Sequence, residues 1–513
     1  MHKLLYGGAI IPSIVPDPPM TIPDALLAAS SGVALLEPSG QSKTSYTTLR
    51  RQVDCIGQQL LGSGLVPGDR VALLFPNGPE VILAFLAIAR AGCAAVPVNP
   101  GLTKREIEAV LDDLSPRGLV FDAIQCGSVA QLLCEGRGIV PLELSRAPDV
   151  SLVTSASTQE SLPVPDPEAI CLLLQTSGTT SRPKTVPLRH RNLVASARNI
   201  AATYDLGPKD AGYCLMPLFH IHGLVASALA PLFSGGTVVV PRRVTGSQFA
   251  VDLAACDITW FSAVPTLLRM LIVRASDDSA ECATSLRFAR TSSAALPLDL
   301  ISRFEALFQT PLVEAYGMTE ASHQMASNPL PPAERRPGSV GLPTGTDISI
   351  LNDDWQTCQP DERGEIAVRG PGVIDAYLDN PAANEASFRQ GWFRTGDLGT
   401  RSPDGYVTIV GRIKELINRG GEKIAPPEVD EALLSHAAVT DAVAYGVPDA
   451  KYGEIVHAAV VVGQPVEPDE LIRHCGARIA SFKVPARVII VKEIPKSPTG
   501  KVQRSMLATR LAE

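Results

Sequence analysis

The sequence predicts a large α/β unit followed by a small α+β unit, and three observations carry that expectation. Strand-like and helix-like runs alternate from residue 46 to residue 122, and a βαβα rhythm builds a mainly parallel sheet covered by helices. The chain has 513 residues, too many for one hydrophobic core and enough for roughly three domain-sized units. Near Lys414 the pattern restarts as a helix and paired strands over about 100 residues, a common domain size.

In chain order, residues 46–65 (YTTLRRQVDCIGQQLLGSGL) carry apolar side chains at helical spacing and end at glycines. DRVALLF (69–75) reads as a strand, and PEVILAFLAIARAG (79–92) as a buried helix opened by Pro79. CAAVPVNP (93–100) is a strand and turn, TKREIEAVLDDLSP (103–116) an amphipathic helix, and GLVFD the next strand. The polar, Pro-rich segment 154–169 reads as a surface connection between subdomains. The long uncharged stretch 223–241 is cut by Pro231, Ser234, Gly235 and Gly236, so it reads as a helix, a turn and the strand TVVV rather than a membrane span. GEIAVRGPGVI (364–374) and DGYVTIVGR (404–412) read as antiparallel strands. After Lys414 come a helix in PPEVDEALLSH and strands in VTDAVAYGV and IVHAAVVV.

Composition narrows the class. The chain is 45% hydrophobic and 19% charged, with a formal net charge of −8 and no basic tract; a nucleic-acid partner is not expected, and any anion must be held by local groups. The ten cysteines are scattered without a CxxC pair, which argues against a zinc ribbon or redox dithiol and for reduced thiols in the cytoplasm. The N-terminal apolar run is broken by Pro12 and lacks a clear cleavage site, so a secretory signal is not expected.

The chemistry starts at QTSGTTSRPKTVPLRH, Gln175 to His190, which follows the apolar run AICLLL. A strand leading into a Ser/Thr/Gly loop with a lysine is a plausible anion site: loop N–H groups and hydroxyls donate, and the lysine adds a mobile charge. The loop lacks the GxxxxGK[ST] pattern of a Walker A site, and a solvated polar loop is the plain alternative.

Further motifs follow in order: PLFHIHGL (217–224), SSAALPL (292–298), EAYGMTE (314–320), GEI (364–366), GWFRTGD (391–397), GRIKELINRGGEKIAPPEVD (411–430) and SPTGKVQR (497–504). This series resembles the adenylate-forming (ANL) superfamily of acyl-CoA synthetases, luciferases and peptide-synthetase adenylation domains, over nearly the whole chain. The resemblance implies an N-terminal domain (1–413) of helix-covered mixed and parallel sheets with a small β-barrel-like part. It also implies a mobile C-terminal α+β domain (414–513). It implies a carboxylate, ATP, Mg²⁺ and coenzyme A as ligands, with a carrier protein as the alternative acceptor. The phosphates would be held by Thr176, Ser177, Gly178, Thr179, Thr180 and Lys184, with Thr319 on a phosphate oxygen and Glu320 on Mg²⁺. Ser293, Ala294, Ala295 and the run Glu314, Ala315, Tyr316, Gly317 and Met318 would frame the adenine. Asp397 would accept from the ribose with Arg412 nearby. Lys501 would be the catalytic cation of adenylation, Lys414 the hinge, and Gly420 and Gly421 the wall of a thiol channel. His220, with His222 two residues on as its rival, would orient the carboxylate.

The segment 314–345 and Ser181 look particularly like oxalate–CoA ligases. A small dianion needs a positive or donor-rich wall; His323, with Ser292 or Ser293, would supply it, and a histidine capping a surface turn is the alternative. Thr185 stands where that pattern has glycine, and an extended backbone is expected there.

Overall fold

The computed structural model describes residues 20–29, 32–40, 42–145, 150–152, 161–176, 183–277 and 285–495, together with residues 502, 504, 507 and 508. Among these residues no helix is long and apolar enough to cross a membrane. The phosphate-loop positions Ser177 to Thr180, and Ser181 and Lys501, lie outside the described residues.

The α/β expectation holds. One sheet of seven strands runs in the order Ser151–Leu152, Val140–Ser145, Gly118–Asp122, Arg70–Leu74, Ala94–Val98, Ile170–Thr176 and Lys184–Arg189. The central strands pair in parallel, and the last two form an antiparallel edge. The second sheet has nine strands, of which Ala211–Tyr213, Trp260–Ala263, Phe288–Thr291 and Leu312–Met318 run parallel. The helix Pro79–Arg90 is apolar all round, so it must be buried on every face. It is: Ile82, Phe85, Ala87, Ile88 and Ala89 are each 0% exposed. It belongs to one core that joins Val71 and Leu172 of the first sheet to Trp260, Phe288 and Val313 of the second. The helix Lys104–Leu114 is capped reciprocally by Thr103 and Glu106.

The uncharged stretch folds differently in detail from its expectation. Its first segment, His222–Leu229, is a π-helix, followed by a short α-helix Ala230–Phe233 and the strand Thr237–Val239. Gly223 is required here, because a Cβ would lie 2.2 Å from the Pro217 carbonyl oxygen. Pro231 has no N–H to give the carbonyl four residues back, which disfavours a regular α ladder through this region.

The turn-rich part is a five-stranded antiparallel sheet built from Asp347–Leu351, Gly364–Arg369, Trp392–Arg401, Phe388–Arg389 and Val407–Arg412. The C-terminal unit has another sheet, centred on Val439–Asp449 and Gly453–Val462, and its own core around Ile424, Val429, Leu433, Val460 and Leu471. Thr185 lies within the strand Lys184–Arg189, opposite Gln175; the extended backbone expected there is what its sheet pairing requires.

Candidate active site

Ligands in open α/β sheets collect beyond the carboxyl ends of the parallel strands. Here the strands Ala211–Tyr213, Phe288–Thr291 and Leu312–Met318 deliver, just past their carboxyl ends, His220 and His222, Ser292 to Ala295, and Thr319 and Glu320. From the other sheet, the strand Ile170–Thr176 points its carboxyl end into the phosphate-loop sequence. The side chains of Ser293, Ala294 and Ala295 are exposed, so this turn presents an open face.

Two charge networks flank that face. Asp397 is 7% exposed and takes bonds from two directions: Tyr316 Oη donates to Oδ2 at 2.5 Å and Arg412 Nε to Oδ1 at 2.7 Å. Burial opposes the Arg412 charge, but Asp397 outweighs it and holds the guanidinium protonated. The second network gathers Glu320, Tyr377, Lys184 and Lys414. Tyr377 Oη donates to Glu320 Oε1 at 2.8 Å, and Lys184 Nζ stands 4.3 Å from the centre of the Tyr377 ring. Burial lowers the Lys184 pKa, the positive charge of Lys414 lowers it further, and Glu320 acts against both. Two like cations held near one buried carboxylate are suited to polyphosphate and a hard divalent cation, which takes one or two carboxylates and fills its shell from phosphate and water.

The third feature lies deeper. Arg290 is 0% exposed, yet among the described residues no carboxylate pairs with it. Its Nε donates to Tyr204 Oη at 3.0 Å and Gln324 Oε1 at 3.2 Å, and its Nη1 donates to Ser262 Oγ at 2.8 Å. Nη2 is buried without a partner, as are Ser292 Oγ and His323 Nε2. His222 stacks on His323 with ring centres 4.6 Å apart and lies 2.6 Å from Ser262 Oγ through Nε2. Burial, then the Arg290 charge, drive both imidazoles well below their usual pKa, so they are neutral. Burial also lowers His220, to about 4. The backbone is unusual at the same place: Ser293 (φ 75°), Ser322 (φ 54°) and His323 (φ 100°) occupy the left-handed half of conformational space without being glycine. Such positions concentrate at ligand sites. Gly317 permits the fold, since a Cβ there would sit 2.0 Å from the His323 carbonyl oxygen.

The structure joins some of the sequence-predicted residues in contact networks: Tyr316, Asp397 and Arg412 in one, Lys184, Glu320 and Lys414 in another, and His222, Ser293 and His323 in a third. The Glu314 carboxylate accepts from Gly338 N at 3.0 Å, and burial raises its pKa to about 7; from the strand it shares with Ala315 and Tyr316 it braces the turn at Gly338. Gly420 and Gly421 are exposed with φ of 61° and 96°, and Lys414 is exposed as well. Three residues went unassigned in the sequence reading: Arg290, Tyr377 and Arg504. Arg504 is bound by Asp430 Oδ2 at 2.5 Å, Glu415 Oε2 at 3.2 Å and the Ala444 carbonyl at 2.7 Å. It anchors the segment after SPTGK to the C-terminal unit.

Comparison with known proteins agrees with this architecture. The AMP-binding enzyme family matches residues 28–378, and the AMP-binding enzyme C-terminal domain matches residues 428–501. The chain is 42% identical to a probable CoA ligase of Humulus lupulus, covering 92% of each chain. It is 42% identical to the oxalate–CoA ligase of Arabidopsis thaliana, covering 93% of this chain and 95% of that one. Among solved structures, ATP-bound MatB from Rhodopseudomonas palustris superposes with a TM-score of 0.88 at 27% identity, covering 96% of this chain and 99% of the other. An exposed turn at Ser293 to Ala295, a buried carboxylate among cations, and a two-part family match along the chain lead to one conclusion: the protein belongs to the AMP-binding (ANL) superfamily and is an AMP-forming acid–CoA ligase.

Proposed function

We propose that the acid is a small dianion, oxalate above others, and that the ligase joins it to coenzyme A with Mg²⁺·ATP as co-substrate. The observation that carries this reading is Arg290, a fully buried guanidinium with no acidic partner among the described residues and one free donor nitrogen. Burying an uncompensated charge is costly, and such a cost is tolerated where a ligand supplies the counter-charge. The unpartnered Ser292 Oγ and His323 Nε2 are further candidate donors for the same carboxylate. A fatty acid would need an apolar tunnel rather than these buried polar groups. The similarity to an oxalate–CoA ligase supports the same choice.

In this reading the acid's reacting carboxylate, oriented by His220, attacks the α-phosphorus of ATP. A P–O bond breaks, pyrophosphate leaves, and the acyl-adenylate remains. Lys184, Thr319 and residues Thr176 to Thr180 would hold the phosphates. Glu320 would hold Mg²⁺, whose chemistry here is to neutralise phosphate charge. Ser293 to Ala295 and Tyr316 to Met318 would frame the adenine, and Asp397, oriented by Arg412, would take the ribose hydroxyls. Lys501 would bridge the two anions that must meet, which is preorganised charge stabilisation. Rotation about Lys414, between the units 1–413 and 414–513, would then exchange Lys501 for the Gly420–Gly421 loop. The coenzyme A sulfur would attack the acyl carbon, and AMP would leave. The free thiols among the described residues fit a reducing cytoplasm.

The test is acid-dependent ATP–pyrophosphate exchange with oxalate, malonate, an aryl acid and an octanoate-length acid. Oxalate is expected to support the largest kcat/KM. No exchange with oxalate, and turnover of the aryl or long-chain acid instead, overturns the substrate assignment.

A further inference from the structure

The buried chain that begins at Arg290 has a direction. Arg290 can only donate, and its Nη1 donates to Ser262 Oγ at 2.8 Å. The same nitrogen lies 3.4 Å from His222 Nε2. A proton on Nε2 would therefore face an arginine N–H, and would leave the Ser262 hydroxyl proton without an acceptor among its described partners. With Nε2 unprotonated, the Ser262 hydroxyl donates to it across 2.6 Å while accepting from Arg290 Nη1. The neutral ring must then carry its proton on Nδ1, which lies 3.2 Å from Ser293 Oγ. Ser293 accepts that proton, so its own hydroxyl hydrogen is turned away from His222. Ser293 is exposed at the open face and is held at φ 75°.

We propose that His222 is a specificity-positioning residue: the chain Arg290–Ser262–His222 fixes its Nδ1–H tautomer and thereby makes Ser293 Oγ a hydrogen-bond donor to the acid's second carboxylate. In the opposite tautomer Ser293 would donate to Nδ1 and present lone pairs to an anion, which repels it. The chain thus sets the polarity of the exposed Ser293 hydroxyl, a second donor beside Arg290. This inference rests on the dianionic-acid reading and adds to it a residue, a tautomer and a direction.

Three variants and one spectroscopic measurement test it. Asparagine places an amide N–H close to where Nδ1–H stands; leucine places none. His222→Leu is expected to raise the KM for oxalate about 10- to 100-fold, the range for a lost hydrogen bond that leaves a buried partner unsatisfied, with the KM for ATP within about twofold. His222→Asn is expected to recover most of that loss. Ser262→Ala, which breaks the chain one step earlier, is expected to weaken oxalate in the same selective way. In wild-type protein with ¹⁵N-labelled histidine, His222 is expected to show the Nδ1–H tautomer and to stay neutral below the usual imidazole pKa. An Nε2–H tautomer, or an unchanged KM for oxalate in both His222→Leu and Ser262→Ala, overturns the inference. If wild-type enzyme uses no dianionic acid at all, the substrate reading falls on that result alone, while the tautomer still decides the polarity of the chain.

Discussion

Replacing Arg290 by methionine separates a binding arginine from a structural one. Each neutral group that Arg290 touches keeps another partner when the guanidinium is gone. Tyr204 Oη retains Ser327 Oγ at 2.7 Å and Gln324 Oε1 at 3.2 Å, and Ser262 Oγ retains His222 Nε2 at 2.6 Å. Methionine refills most of the volume with a flexible apolar chain, and a desolvated charge disappears. The Tm of the ligand-free protein is therefore expected to hold or rise. Binding moves the other way. Removing one member of a buried charge pair costs about 2–5 kcal/mol, so kcat/KM for oxalate is expected to fall roughly 30-fold to several thousand-fold. Adenylation of a monoanionic acid is expected to change little or improve. Thermal unfolding without ligand and pyrophosphate exchange with paired acids measure both arms. A lower Tm together with equal loss for every acid would make Arg290 a structural residue and refute the reasoning.

Other consequences follow from the same geometry. Tyr377→Phe keeps the ring beneath Lys184 and removes only the donor to Glu320; the half-saturating Mg²⁺ concentration is expected to rise about tenfold or more, and an unchanged Mg²⁺ titration counts against a link between Tyr377 and the metal. Glu314 carries a pKa raised by burial from 4.5 to about 7, so its contribution to stability is full below pH 4.5 and is lost as pH rises through 7. Glu314→Gln, which keeps an acceptor for Gly338 N, is expected to gain at most about 3 kcal/mol at pH 8 and little at pH 4. Equal shifts in chemical denaturation at both pH values contradict that assignment. Lys501→Ala is expected to abolish acyl-adenylate formation yet spare thioester formation from supplied acyl-adenylate, and equal loss of both half-reactions removes Lys501 from its role.

Much of this was legible in the sequence because the signals are local. The strand Arg70–Leu74 and the helix Pro79–Arg90 come from unbroken apolar runs with a proline at the helix start, and the motif order marks the nucleotide face. The π-helix His222–Leu229 was not legible, since α and π ladders share nearly the same apolar pattern and differ in which carbonyl each N–H meets. Arg290 was passed over because FART reads as an ordinary strand end; only the packing of distant Tyr204, Ser262 and Gln324 around it makes it a buried cation. Tyr377 meets Glu320 across 57 positions of sequence, a pairing that no local period encodes. Glu314 sits inside a nucleotide motif but points its carboxylate at Gly338, because side chains alternate along the strand Leu312–Met318.

Recognition of a second negative charge is isolated by glyoxylate, which matches oxalate in size and lacks one carboxylate. The ratio of kcat/KM for oxalate to that for glyoxylate, in thioester formation with coenzyme A, is expected to exceed about 100, the factor that roughly 3 kcal/mol of charge recognition gives. A ratio near one would contradict the account, because a buried arginine that answers to no second carboxylate does not select the acid.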